Sequence, residues 1–187
     1  VTNLGARAFS ECNLLQKVTL SDNIEEIKEY TFYKCKALEE VHFPTALKKV
    51  GQFAFEYSGL KSAILPEQLT QIESAAFKNC SSLEKVVLNS TIEEFTWGVF
   101  AYGSPLAELT INAPLRPSEY DTISGTVDTG LFEDCNFKKV ILGENVKSIP
   151  NGTFHNCKYL EEIILPDGLE SVCPCAFYGC TALRKID

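Results

Sequence analysis

The stretch Thr31-Phe32-Tyr33-Lys34-Cys35-Lys36-Ala37-Leu38-Glu39-Glu40-Val41-His42-Phe43-Pro44 decides the fold of this chain. It returns as Thr153-Phe154-His155-Asn156-Cys157-Lys158-Tyr159-Leu160-Glu161-Glu162-Ile163-Ile164-Leu165-Pro166. Its frame is a small residue, Phe, Cys three positions on, then Leu-x-x-aliphatic-x-apolar-Pro. Working outward, the start of that frame recurs at Ala8-Phe9…Cys12, Ala54-Phe55…Ser58, Ala76-Phe77…Cys80, Val99-Phe100…Gly103, Leu131-Phe132…Cys135 and Ala176-Phe177…Cys180. Successive Phe residues lie 23, 23, 22, 23, 32, 22 and 23 positions apart. A fixed period of this size marks a repeat architecture and takes precedence over any local reading.

Each unit carries a fixed apolar series, for example Leu15, Val18, Leu20, Ile24 and Ile27 after Phe9, or Leu38, Val41, Phe43, Leu47 and Val50 after Phe32. The third and sixth units run one residue short, with Leu60, Ala63 and Leu65, and Phe137, Val140 and Leu142. The Leu-x-x-Val-x-Leu step has the period of two of a strand with one buried face. A breaker follows it at Ser21, Pro44, Pro66, Asn89, Gly143 and Pro166. Around each Ala-Phe there is room only for a helical turn or a 3₁₀ piece. One such unit cannot bury its own apolar face, whereas stacked units can, with strands aligned as a parallel sheet at about 4.7–4.9 Å spacing. Residues 1–187 thus read as one solenoid domain of about eight coils, the last truncated at Asp187. A loop insertion occupies 113–130. Val1 falls inside the pattern and the chain has no Met, so the sequence reads as a segment of a longer protein.

The unit A-F-x-x-C-x-x-L-x-x-V-x-L-P-x-x-L-x-x-I resembles the BspA-like class of leucine-rich repeats over about residues 4–187, apart from the insertion. The resemblance implies an α/β leucine-rich-repeat solenoid. This is a right-handed superhelix with one short parallel β-strand per 22–23-residue coil, mostly β and turns with little helix. Similar proteins are typically bacterial or protozoan, lie on the cell surface or are secreted, and are implicated in adhesion to host proteins and cells; others have no known role. The implied partner is a protein, of the host extracellular-matrix or cell-surface kind. Repeats are scaffolds whose partners are set by surface residues, so the fold is implied strongly and the function weakly.

Composition narrows the function classes. Seventeen Lys+Arg against 25 Asp+Glu leave a formal charge of −8. That balance offers phosphates no basic face and argues against a nucleic-acid partner. It also argues against a polybasic membrane-surface segment. No apolar run approaches the ~18 residues of a spanning helix, which argues against membrane insertion.

No residue set points to catalysis, a cofactor or a metal. Six of the eight Cys occupy one repeat slot, which stacking turns into an inward column. All six are expected to be buried and reduced, since parallel side-chain directions oppose bridging. Ser58 and Gly103 fill the same slot, which suggests a size requirement more than a chemical one. Cys173 and Cys175 are off-register; with Cys180 and His155 they lack the paired spacing of structural zinc sites. His42 and His155 lie several coils apart and cannot form a dyad. Adjacent Glu pairs at 25–26, 39–40, 93–94 and 161–162 point to opposite faces and read as solvated edges. Sequons stand at Asn79, Asn89 and Asn151.

The surface of the sheet is the informative one. With Val18 and Leu20 inward, one outward column reads Lys17, Glu40, Ser62, Lys85, Glu108, Lys139, Glu162, Lys185. Its alternating sign reads as a self-neutralising ladder that fixes register. The next outward column reads Thr19, His42, Ile64, Val87, Thr110, Ile141, Ile164, Asp187. Its aliphatic stretch reads either as an interaction face or as plain β propensity. The insertion carries Arg116, Glu119 and Tyr120, with Trp97 and Tyr102 nearby, and reads either as a functional excursion or as a tolerated loop. The candidate protein-binding residues are therefore His42, Ile64, Val87, Thr110, Ile141, Ile164, Arg116 and Tyr120. The expected function is a protein–protein interaction module on a cell surface or secreted; a spacer with no ligand of its own is the alternative, and an enzyme is not expected.

Overall fold

The computed structural model describes residues 1–96, 98–102, 106–115 and 130–187. Within them the chain winds as a parallel β-solenoid of about seven turns, and no described residue is helical. One face is built from β1 (Lys17–Thr19), β3 (Glu40–His42), β5 (Ser62–Ala63), β7 (Lys85–Leu88), β9 (Glu108–Ile111), β10 (Lys139–Leu142), β12 (Glu162–Ile164) and β14 (Lys185–Ile186). In these strands alternate residues are buried, with Val41, Val86, Leu109, Val140 and Ile163 at the core-facing positions. The other face is a row of two-residue strands: β2 (Glu26–Ile27), β4 (Lys49–Val50), β6 (Gln71–Ile72), β8 (Glu94–Phe95), β11 (Ser148–Ile149) and β13 (Ser171–Val172). Most coils thus carry two strands, not the single one expected. The second apolar pair of the unit, such as Leu47 and Val50, turns the chain back under the core and finds the same pair above and below it.

Both sheets are interrupted. β1 and β3 pair with each other, and the six strands from β5 to β14 form a separate continuous sheet. The break falls at the third coil, where Ser58 and Leu60 are one residue closer than Cys35 and Leu38. The sixth coil has the same deletion between Cys135 and Phe137, yet its β10 stays paired on both sides. The difference lies in the strands: Lys139-Val-Ile-Leu142 is β-branched and four residues long, whereas Ser62-Ala63 is short and of low β propensity. In the second sheet, β2-β4-β6-β8 and β11-β13 are separate, and the insertion lies between them.

The Ala-Phe segment holds neither a helical turn nor a 3₁₀ piece. It is a run of overlapping turns. In the first coil Ala8, Ser10 and Cys12 donate their N–H to Gly5, Arg7 and Phe9, while Arg7, Phe9 and Glu11 donate to Glu29, Thr31 and Tyr33 of the next coil. Taking every second N–H for the neighbouring coil forbids a helix. It also places residues two before and two after the Phe in the left-handed region: Tyr30 and Lys34, Phe53 and Tyr57, Ala75 and Asn79. Such a conformation costs non-glycine residues about 1–2 kcal/mol each. The inter-coil hydrogen bonds on either side offset that cost.

Inside, the eight Phe rings form one continuous stack. Consecutive centroids lie 5.2–5.5 Å apart, except for 6.3 Å between Phe100 and Phe132, where the insertion intervenes. Beside it runs the cysteine column, and here two expectations need correcting. Cys35, Cys80, Cys135 and Cys157 are buried, but Cys12 is exposed and Cys180 half-buried, because the first and last coils have a neighbour on one side only. The slot is also chemical and not only a matter of size. The thiols of Cys35, Cys80, Cys157 and Cys180 donate to the carbonyls of Phe9, Phe55, Phe132 and Phe154 one coil back, at 3.0–3.1 Å. Burial pushes the Cys35 thiol up to about 11 and Cys80 up to about 12. All eight cysteines are free thiols.

Candidate functional site

The outward face of the strand sheet is set by register. Lys17 pairs with Glu40, and Ser62, Lys85, Glu108, Lys139, Glu162 and Lys185 follow one another in a single column. Ion pairs join neighbours at 2.7 Å for Lys17–Glu40, 3.7 Å for Lys85–Glu108, 3.6 Å for Lys139–Glu162 and 2.7 Å for Lys185–Glu162. The hydrogen bond from Lys185 holds the Glu162 carboxyl below its usual range.

Two further ion pairs lie one residue before the strands and were missed in the sequence. Lys61 reaches Glu39 at 2.5 Å, and Arg184 pairs with Glu161. On the other sheet Lys48 pairs with Glu25, and Lys49 with both Glu26 and Glu73. Each carboxylate of the pairs 25–26, 39–40 and 161–162 therefore has a cation one coil away, Glu26 sharing Lys49 with Glu73. The signal was present as opposite charges recurring at the repeat spacing in columns not read down the stack.

Beside the charged ladder, the second outward column takes its place by the same pairings: Thr19 beside His42, Val87 beside Thr110, Thr110 beside Ile141, and Ile141 beside Ile164. His42 is exposed, and Val87, Thr110, Ile141 and Ile164 are half-buried, shielded by their neighbours on the pleated surface. Ile64 stands out at 84% exposed, because β5 ends at Ala63 and the next residue leaves the sheet. Arg116 and Tyr120, with Trp97 and Gly103, lie outside the described residues. On either side of them, Ala113, Leu115 and Gly130 are buried, so the described ends of the insertion are anchored in the core.

The turn-bearing side carries its own pairings. His155 Nδ1 lies 2.9 Å from Glu133, and its ring stacks on Tyr178 at 5.2 Å. The guanidinium of Arg7 sits 4.0 Å over the Tyr30 ring. Among the described residues, no group of three or more His, Cys, Asp and Glu side chains is arranged to hold a metal ion.

This geometry is matched by known proteins. The model of the BspA type leucine rich repeat region matches in six copies, over residues 2–124 and 125–187. Among solved structures, the leucine rich repeat protein of T. pallidum is similar at 25% identity with a TM-score of 0.64, covering 96% of this chain and 70% of that one. A leucine-rich repeat protein from Bacteroides ovatus is similar in fold at 22% identity and a TM-score of 0.51, covering 96% of this chain and 68% of its own. No curated protein matches significantly. With the family model spanning nearly every residue of a stack of parallel coils, the chain belongs to the BspA-type leucine-rich repeat family.

Proposed function

We propose that this chain is a protein-binding module, displayed on a cell surface or secreted, that engages its partner with the outward face of the strand sheet. The observation that carries the reading is the aliphatic column from Ile64 to Ile164, flanked by charges already neutralised within the ladder. Such a face presents apolar area without the cost of stripping water from unpaired ions. Ile64, the most exposed of the column, is the anchor that a pocket on the partner would enclose. His42 and Thr110 extend the stripe, and the insertion, which carries the candidate residues Arg116 and Tyr120, leaves the fifth coil just after Asn112, next to the end of β9. The surface location and adhesion to host proteins rest on the family. The alternative, a spacer that holds another part of the parent chain at a distance, leaves the aliphatic column without a role.

The test is surface plasmon resonance against immobilised extracellular-matrix proteins, with wild type and an Ile141→Lys/Ile164→Lys variant, each checked by circular dichroism. Binding by the wild type and its loss in a folded variant supports the reading. Retained binding by the folded variant moves the site elsewhere. No binding to any of the matrix proteins favours the spacer.

A further inference from the structure

At the end of each main strand the repeat closes with Pro in the second, third and seventh coils, at Pro44, Pro66 and Pro166. The fourth, fifth and sixth coils depart from this, placing Asn89, Asn112 and Gly143 there. A groove of about 430 Å³ opens along these turns, lined by Glu67, Asn89, Ser90, Thr91, Asn112 and Asn145. It lies at the edge where the strands end, with Asn89 and Asn112 two residues beyond Val87 and Thr110.

The walls are built. Asn89 Nδ2 donates to the Leu65 carbonyl at 3.1 Å, and Thr91 Oγ1 to the Leu69 carbonyl at 3.0 Å, which leaves the Asn89 Oδ1 acceptor unused by that bond. The Asn112 carboxamide occupies the space beneath Gly143: a Cβ there would lie 2.1 Å from Asn112 Oδ1. Replacing Pro by Gly in the sixth coil thus makes room for the amide of the fifth. Glu67, Ser90 and Asn145 are exposed, and their side chains make no hydrogen bond among the described residues.

The lining selects its ligand by chemistry. Among the described residues the lining has no Lys or Arg and one carboxylate, which disfavours an anion. Nor do the described residues give it an apolar or aromatic wall for a hydrophobic ligand. One carboxylate falls short of the charge-rich oxygen set that a protein calcium site uses. Carboxamides offer a donor and an acceptor side by side, and hydroxyls offer both, the complement of adjacent sugar hydroxyls. Carboxamides or hydroxyls stand in the fourth, fifth and sixth coils, so they span about 10 Å at the ~4.8 Å sheet spacing, the reach of about two linked sugar rings. We propose that this groove binds a neutral oligosaccharide laid along the coil stack. With no ring among the described lining residues to stack on the sugar, affinity rests on hydrogen bonds exchanged with water, and Kd is expected at roughly 1 mM.

The experiment is an NMR titration of the whole chain with maltotriose, cellotriose and N,N′-diacetylchitobiose, with calcium chloride and inorganic phosphate as separate arms. The expected result is saturable shifts at Ser90, Thr91 and Asn145 with at least one sugar. A folded Ser90→Ala/Asn145→Ala variant should weaken that binding by about tenfold or more, and Glu67→Gln, which keeps the shape, by a few fold. Saturation by none of the sugars, unchanged affinity in the folded double variant, or the same shifts with calcium or phosphate alone overturns the proposal.

Discussion

Phe77→Ala removes one ring from the middle of the aromatic stack and tests whether the coils are held together by nearest neighbours. Phe77 is fully buried and lies between Phe55, at 5.2 Å and 3° between planes, and Phe100, at 5.5 Å and 12°. Losing its transfer energy, leaving a cavity and breaking two stacked contacts places the cost at about 3–5 kcal/mol. Phe9 is half-buried and has one stacked neighbour, Phe32 at 5.4 Å. Phe9→Ala should therefore cost about half as much, about 1.5–2.5 kcal/mol. Urea titration followed by circular dichroism reads both, with the free energies taken from midpoint and slope. In a solenoid the two variants should also differ in kind. Phe9→Ala lets the first coil fray ahead of the rest and broadens the transition, whereas Phe77→Ala weakens the array at its centre. A Phe77→Ala/Phe100→Ala pair should couple, and a Phe77→Ala/Phe9→Ala pair should add. Equal losses at Phe9 and Phe77, or additivity in the neighbouring pair, would refute the reasoning.

The remaining predictions concern thiols and glycines. In native protein at pH 8, iodoacetamide should label Cys12 and Cys175 rapidly and spare Cys35, Cys80, Cys135 and Cys157 until the chain unfolds, as peptide mass spectrometry would show. The folded chain holds the protons of Cys35 and Cys80 more tightly than the unfolded chain does. The stability this contributes is complete below the ordinary thiol range and fades as pH climbs through about 11 at Cys35 and about 12 at Cys80. Melting temperature against pH should therefore fall in the alkaline range, and less steeply in a Cys35→Ser/Cys80→Ser variant. At Gly130 an added Cβ would lie 1.6 Å from the Gly152 carbonyl oxygen, so Gly130→Ala should cost more than about 3 kcal/mol by urea titration. Gly98 has a φ of 65°, and among the described residues the nearest atom to an added Cβ is Ala101 Cβ at 3.7 Å. Its counterparts in other coils are Arg7, Tyr30 and Phe53, so Gly98→Ala should cost only about 1 kcal/mol.

The sequence by itself determined the period, the register and the core. Phe spacing fixes which residues stack, and the alternation in Lys85-Val86-Val87-Leu88 fixes which side of each strand faces in, because side chains of a strand alternate strictly. The column Lys17–Lys185 was legible for the same reason, as were Thr19 beside His42 and Val87 through Ile164 in the next one. Tertiary structure decided what depends on the neighbouring coil. The turns around Phe9 and Phe32 form no helix because the next coil takes alternate N–H groups, a demand invisible within one unit. The thiol of Cys80 has a partner only because the Phe55 carbonyl lies one coil back. β10 bridges a deletion that leaves β5 detached from β3, and so Ile64 protrudes where Ile141 lies flat; equal patterns diverged with the β propensity of the flanking residues. The polar groove from Glu67 to Asn145 gathers one to three residues from each of four coils. A single unit records a repeat's own hydrogen-bonding capacity; the stack determines where each donor finds its acceptor.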